Sequence, residues 1–364
     1  MAEMKKITID LGENSYDIII GYDLAAEMTA FISKQKYSAK GIIITDTNVG
    51  SLYGEAMKKL IAKAGIECDI FNVEAGESAK SLAVAEKIYT RVIELGLDRR
   101  SPVFALGGGV VGDLAGFIAA TYMRGVPFIQ LPTSLLAQVD SSVGGKVAVN
   151  HKLGKNLIGA FYQPDAVFMD LNLLKTLPKR EISTGLGEVV KYGLIYDKEF
   201  FAYLKENEQE ILSLSSKAIP HIIARSCEIK AAVVSADEKE QGLRRILNFG
   251  HTLAHAIEQE TNYSRYNHGE AVAIGMVGAA YISKELNLID ENIYAEIISL
   301  LESLNLPVKA EDCHEDHLYK GIFSDKKTVG GKVNWVLIDA IGSTIIKNDV
   351  AEEIVRKAIK EILA

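Results

Sequence analysis

Gly107-Gly108-Gly109-Val110-Val111-Gly112-Asp113 is the stretch that decides the fold. It follows an apolar run, Pro102–Leu106, and opens a helical pattern, so the chain passes from strand to helix through glycines. Glycines let an anion approach backbone N–H groups, and the N-terminus of the following helix favours its charge. Residues 107, 109 and 112 satisfy G-x-G-x-x-G in form. Two rules of the dinucleotide fingerprint are nevertheless broken. The strand is not the first of the chain, and no acid follows at roughly 20 residues to hold a ribose. The acid at a strand end comes earlier, at Asp46. The loop therefore points to pyrophosphate binding in a dinucleotide domain of unusual order, set against the plainer alternative of a turn without ligand.

Working outward, Lys5–Leu11 and Tyr16–Ile20 are short β-rich runs around a hairpin loop at Gly12–Asn14. Gly41–Thr45 has the continuous apolar character of a buried parallel strand. Helical residues follow to Ala64, then a strand at Glu67–Val73 and a helix from about Ser81 to Leu95. An apolar helix after Asp113 leads to the strand Val126–Leu131. This alternation predicts an α/β fold, a Rossmann-like sheet with helices on both faces. From Pro178 the pattern changes to helical spacing in Ile211–Leu214, Ile219–Val234, Ile246–Ile257, Ala271–Leu286 and Ile293–Leu304. Lys332–Asp339 and Ser343–Ile346 read as one hairpin, and Asp349 is expected to cap a last helix ending at Leu363. The expected organisation is an α/β dinucleotide-binding domain over 1–177 and a mainly helical metal- and substrate-binding domain over 178–364, joined without a linker.

A length of 364 residues suits two cores, and 48% hydrophobic with 24% charged residues is ordinary globular composition. A net charge of −8 and a pI near 5.5 argue against broad binding of nucleic acid or anionic membrane. An anionic ligand must then be captured by a local cluster of cations. Cys68, Cys227 and Cys313 are scattered and odd in number, so no disulfide framework is implied. Met1 to Asp10 lacks the apolar run of a signal peptide, and Ala271–Ile282 falls short of the ~20 residues of a membrane span. A soluble protein of a reducing compartment is expected.

A second glycine cluster, Asp140-Ser141-Ser142-Val143-Gly144-Gly145-Lys146, is not a P-loop. Its first glycine position is Asp140, and Val147 stands where a Ser or Thr would bind magnesium. In the helical half, Glu188 and Lys191 share a face at i, i+3, and His251 and His255 share one at i, i+4. His268 opens an Ala- and Gly-rich helix, where the dipole helps keep the imidazole neutral. One carboxylate with two or three imidazoles suits zinc or a similar ion with a position left open. Spacing alone makes His251 and His255 the natural pair, but the glutamate of H-E-x-x-H is missing. For a single histidine, a packed and satisfied core position is the simpler account; four polar groups inside apolar helices favour a shared metal. Cys313-His314-Glu315-Asp316-His317 reads as an exposed acidic helix start. Arg124, Lys146, Lys155, Lys191, Lys230, Arg244, Lys326 and Lys327 would suit a multiply charged substrate, arginine forks binding carboxylate or phosphate in two-pronged fashion.

The run 107–113, Arg124 in Tyr-Met-Arg-Gly, Pro132-Thr-Ser-Leu-Leu, residues 140–146, Gly154-Lys-Asn-Leu-Ile-Gly, Gly187-Glu-Val-Val-Lys-Tyr-Gly and Asn248-Phe-Gly-His-Thr together resemble the 3-dehydroquinate synthase family. Each motif is weak alone; their shared order from Asp46 to Lys327 is specific. The resemblance implies Glu188, His251 and His268 as metal ligands for zinc or cobalt, which leaves His255 out. It implies a catalytic group of Asp140, Lys146, Asn156, Asn248 and His255, with Asp140 near the nicotinamide and the others around the substrate phosphate. Arg124, donated by a neighbouring copy in a homodimer, would join them. Lys155, Lys191, Lys230, Arg244 and one of Lys326 and Lys327 would meet the remaining substrate groups. NAD contacts would come from Asp46, Asn48, Glu77, Lys80, Gly108, Gly109, Val110, Asp113, Thr133, Ser134, Asp140, Lys146, Lys155 and Thr176.

The activity so implied converts 3-deoxy-D-arabino-heptulosonate 7-phosphate to 3-dehydroquinate and phosphate in the cytoplasm. Its steps are transient oxidation by NAD, phosphate elimination, re-reduction, ring opening and aldol closure. The rivals are a sister sugar-phosphate cyclase, such as a 2-deoxy-scyllo-inosose synthase, and a metal-dependent polyol dehydrogenase. A non-catalytic NAD-binding regulator would need no metal group. Arg244 beside Arg245, with Lys230, favours a carboxylated substrate.

Overall fold

The computed structural model describes residues 4–240, 242–324 and 333–364. Its chain falls into two compact units, Met1–Leu177 with Lys230–Lys239, and Pro178–Ile229 with Glu240–Ala364.

In the first unit, β1 (Lys5–Ile9) and β2 (Tyr16–Gly21) pair antiparallel around a 3-10 turn at Gly12–Asn14. Then come α1 (Ala25–Lys34), β3 (Lys40–Asp46), the short α2 (Thr47–Val49), α3 (Glu55–Lys63), β4 (Glu67–Val73) and α4 (Leu82–Glu94). They are followed by β5 (Val103–Gly107), α5 (Gly109–Thr121) and β6 (Phe128–Pro132). A separate antiparallel pair, β7 (Lys146–His151) and β8 (Gly154–Phe161), precedes β9 (Ala166–Asp170). The main sheet runs β1-β2-β9-β6-β5-β3-β4 and is parallel except at β1–β2.

Neighbouring residues of a strand face opposite sides of a sheet, and here both sides are apolar. Ile42 and Ile44 pack with Ile88, Val92, Leu114 and Ile118 on one face, while Ile43 packs with Met28, Ile32 and Ile61 on the other. This two-sided burial explains why β3 and β5 read as unbroken apolar runs. β4 lies to one side of β3 and β5 to the other, so the chain reverses its travel across the sheet there. Open α/β sheets bind ligands beyond the carboxyl ends of the strands at such a switch point. Asp46 ends β3 and Gly107 ends β5. The glycine loop is thus well placed although its strand comes late in the chain.

Three strands escape the sequence pattern. These are β7, β8 and β9, and β8 is exposed or half-buried at every position, so no in–out alternation marks it. The helix expected after Asp113 starts at Gly109, because glycines carry no apolar signal. Asp349 does not cap the last helix; the N-cap is Ala351, extended and without a side-chain bond, two residues nearer the helix.

The second unit is mainly helical. It holds α6 (Lys179–Tyr196), α7 (Lys198–Glu206), α8 (Glu208–Leu212), the first part of α9 (Ala218–Ala236), α10 (His251–Glu260) and α11 (His268–Glu285). α12 (Glu291–Ser303), α13 (Glu315–Ser324), the antiparallel pair β10 (Trp335–Ala340) and β11 (Ser343–Lys347), and α14 (Glu352–Ile362) complete it. α11 is buried along most of its length, and glycine lets its neighbours touch its backbone. A Cβ on Gly187 of α6 would stand 2.4 Å from the Gly269 carbonyl, and one on Gly269 would stand 1.8 Å from that of Thr184. A Cβ on Gly275 would stand 2.1 Å from the carbonyl of Gly250, which precedes α10 in the left-handed region at φ 77°. Gly187, Gly269 and Gly250 each adjoin one candidate metal ligand, so these contacts fix where the ligands meet.

Candidate active site

Glu188 projects from α6, while His251 and His268 are the first residues of α10 and α11. One ligand atom from each comes within 4.8 Å of the others, the one such cluster among the described residues. The Glu188 carboxylate is fully buried, and neither oxygen receives a hydrogen bond. Lys191 Nζ stands in ion-pair contact with it, one helical turn on. His251 Nε2 and His268 Nε2 each lie 3.6 Å from the same oxygen, Glu188 Oε1. Their other ring nitrogens face acceptors, the Phe249 carbonyl at 3.1 Å and Glu258 Oε1 at 3.3 Å. A buried carboxylate without hydrogen bonds is costly unless a cation satisfies it. Two imidazoles and a carboxylate converging on one point therefore fit a divalent ion with open positions for other ligands.

His255 stands one turn beyond His251, its ring centroid 5.6 Å from that of His251 and 6.4 Å from that of His268. It borders the cluster without belonging to it, so the structure does not assemble a metal group on the His251–His255 pair. Lys191 and Arg244 are 1% and 2% exposed, cations held inside an acidic protein. Asn248 donates its side-chain amide to Glu240 at 2.7 Å. Lys326 and Lys327 lie outside the described residues. At the edge of this unit, Glu260 accepts from the His314 N–H at 2.8 Å and faces His317 at 3.3 Å, so the Cys313–His317 stretch is tied down as a helix start.

In the first unit, Gly108 is the N-cap of α5 and Gly109 its first residue. A Cβ on Gly109 would meet Ser141 Oγ at 2.9 Å, and one on Gly108 would meet Ser134 Oγ at 3.4 Å, so these glycines let two serines pack against the turn at the N-terminus of α5. Val110 follows them in the first turn. Asp46 caps α2, accepting from the N–H groups of Asn48 and Val49 at 2.9 and 3.0 Å. Thr133 is buried after β6, its N–H bonded to the Gly107 carbonyl at 3.0 Å, and Thr176 meets the Tyr53 hydroxyl at 2.7 Å.

A polar network joins the segment before α4 with α5 and the β7–β8 pair. Lys80 Nζ contacts Asp113 and donates to Asn156 Oδ1 at 2.5 Å. Asn150 donates to Glu77 at 2.7 Å and accepts from the Asn156 N–H at 3.0 Å. Lys155 lies 3.9 Å from Glu77. Burial raises the Asp113 carboxyl above its usual range, with Lys80 pulling the other way. Asn156 takes φ 54°, a strained backbone for a residue other than glycine. Nearby, Lys230 Nζ donates to Asp140 Oδ1 at 2.7 Å and to its carbonyl at 2.5 Å. Lys146 begins β7 with its side chain exposed. Arg124 is exposed in a turn where it and Met123 both have positive φ.

Asn150 and Glu258 are among the polar side chains of these networks that the sequence did not single out. Glu258 had a readable signal. It follows His251 by seven residues and His255 by three, so all three share one face of α10.

The chain matches the family model described as 3-dehydroquinate synthase N-terminal over residues 70–184, and that described as 3-dehydroquinate synthase C-terminal over residues 185–328. It is 49% identical over 353 residues to the 3-dehydroquinate synthase of Thermoanaerobacter pseudethanolicus, covering 97% of this chain and 99% of that one. Among solved structures it is similar to a 2-deoxy-scyllo-inosose synthase complexed with carbaglucose-6-phosphate, NAD+ and Co2+, with TM-score 0.88, 28% identity, and 99% and 100% of the two chains covered. It is also similar to the 2-epi-5-epi-valiolone synthase ValA of Streptomyces hygroscopicus with NAD+ and Zn2+ bound, with TM-score 0.88, 26% identity, and 100% and 98% covered.

Proposed function

The chain belongs to the 3-dehydroquinate synthase family, and from that premise we propose how its residues close 3-deoxy-D-arabino-heptulosonate 7-phosphate into 3-dehydroquinate with release of phosphate. The convergence of the buried Glu188 carboxylate with two imidazoles carries the assignment, because that donor set fits the metal such a reaction uses. NAD, when bound, supplies reversible hydride acceptance within one turnover, and a zinc or cobalt ion at Glu188, His251 and His268 supplies Lewis acidity toward adjacent hydroxyls.

The first unit is the NAD-binding domain. The α5 N-terminus at Gly108, Gly109 and Val110 receives the pyrophosphate, and Asp46 ends the neighbouring strand β3 with Asn48 just beyond it in α2. Glu77, Lys80, Asp113, Thr133, Ser134 and Thr176 complete the cofactor contacts. Asp140 is held by Lys230 and takes the position beside the reacting carbon. Lys146, Asn156, Asn248 and His255 hold the substrate phosphate, while Lys155, Lys191, Lys230 and Arg244 meet its hydroxyls and carboxylate. Buried cations attract an anionic substrate strongly because little water screens them. Oriented this way, a flexible intermediate is steered to one product.

Exposed Arg124 serves the neighbouring copy in a homodimer, and sedimentation velocity of the purified chain tests that assembly. The cytoplasm is the proposed location, in keeping with three cysteines that form no disulfide. The enzyme is tested by turnover of the heptulosonate phosphate with catalytic NAD and zinc or cobalt. Phosphate and dehydroquinate should appear in equal amounts and cease on chelation. Turnover of glucose 6-phosphate or sedoheptulose 7-phosphate instead would make the chain a sister cyclase. Accumulating NADH with a simple alcohol would make it a dehydrogenase.

A further inference from the structure

We infer that Glu258 is a positioning residue for the metal group: its carboxylate accepts the Nδ1–H of His268 and thereby turns the Nε2 lone pair of that ring toward Glu188. This role rests on the assignment of Glu188, His251 and His268 as ligands. A neutral imidazole has one N–H and one lone pair, and the partner of one nitrogen decides which is which. His268 Nδ1 lies 3.3 Å from Glu258 Oε1, and its Nε2 lies 3.6 Å from Glu188 Oε1. A carboxylate oxygen only accepts, so Nδ1 is the donor toward Glu258, and in the neutral ring that metal binding requires, Nε2 then keeps the lone pair.

His251 shows the same arrangement with a backbone acceptor. Its Nδ1 is 3.1 Å from the Phe249 carbonyl, and its Nε2 is 3.6 Å from the same Glu188 oxygen. Both rings thus present matching nitrogens to one carboxylate, each set by an acceptor on its far side. The two supports differ in kind. The carbonyl is fixed by the left-handed turn at Gly250, whereas Glu258 is a side chain that mutation can remove. Glu258 is 6% exposed, so packing holds its carboxylate in place. It also links two helices, since α10 carries one ligand and the support of the ligand on α11. A carboxylate behind an imidazole raises its basicity as well as orienting it, and losing such a partner typically weakens metal binding.

The test compares the parent with Glu258→Ala, Glu258→Gln and His268→Ala. Cobalt and zinc affinities are measured by competition with a chromogenic chelator, and the visible absorption of the cobalt form is recorded. Glu258→Ala should bind metal about 10–100-fold more weakly. Glu258→Gln, whose amide oxygen still accepts, should fall between. Both should alter the cobalt spectrum. Parental affinity and spectrum in both variants overturn the role, as does a lowered unfolding temperature at unchanged affinity. If Glu258→Ala does not fold, Glu258→Gln decides by the same measures. Loss of metal in His268→Ala with parental Glu258 variants overturns the role of Glu258 alone. Parental binding in His268→Ala overturns the ligand assignment itself.

Discussion

Lys191 is the buried cation in contact with Glu188, and the two sit at i, i+3 on α6. Without metal, that lysine offsets a carboxylate whose oxygens receive no hydrogen bond. Removing one partner of a buried pair leaves an uncompensated charge, at a cost of about 3–5 kcal/mol. Lys191→Met should therefore destabilise the metal-free protein by that order in urea unfolding, and zinc should restore more stability to the variant than to the parent. Equal stability of parent and variant without metal would show that Glu188 is compensated by another group. At this scale the sequence was informative about residue types and poor about partners. The i, i+4 spacing of His251 and His255 shows that they share a face of one helix, and nothing about what that face meets. Glu188 and His268 arrive from other helices, which periodicity cannot reveal. The ordered motifs of the resemblance carried that information instead.

The meeting of α6, α10 and α11 depends on backbone contact at glycines. A methyl on Gly187 would stand 2.4 Å from the Gly269 carbonyl, far inside contact distance and against backbone that cannot swing aside. Gly187→Ala should push α6 away from α11, costing about 1–3 kcal/mol as overpacking does. It should also weaken zinc binding, because Glu188 moves with α6. Denaturant unfolding and chelator competition check the two effects separately. Parental zinc affinity together with a loss of stability would show that the ligand geometry tolerates the shift. Elements built on burial were legible: β3 and β5 as unbroken apolar runs, and α11 as an Ala- and Gly-rich helix. The β7–β8 pair was not, since β8 turns exposed or half-buried residues outward throughout and so lacks the alternation that marks a half-buried strand. Yet that pair carries Lys146, Lys155 and Asn156, which makes the least legible element one of those assigned to the substrate.

All three proposed metal ligands belong to the second unit, whereas the glycine turn and Asp46 belong to the first. A ligand that binds only the folded state stabilises the structure it touches by RT ln(1 + [L]/Kd), about 2.7 kcal/mol at a hundredfold excess over Kd. Amide exchange reports such stabilisation segment by segment when opening is local. Zinc added to chelator-stripped protein should slow exchange by up to about 100-fold in α6 around Glu188 and at the starts of α10 and α11. NAD alone should instead protect the ends of β3 and β5 and the first turn of α5. Each ligand is thus expected to leave a distinct footprint set by where its side chains lie in the fold. Protection by zinc alone spread evenly over β5 and α5 would contradict that division. The same experiment on His268→Ala separates specific from incidental protection: the zinc footprint should vanish while the NAD footprint remains, because His268 opens α11 and takes no part in the glycine turn.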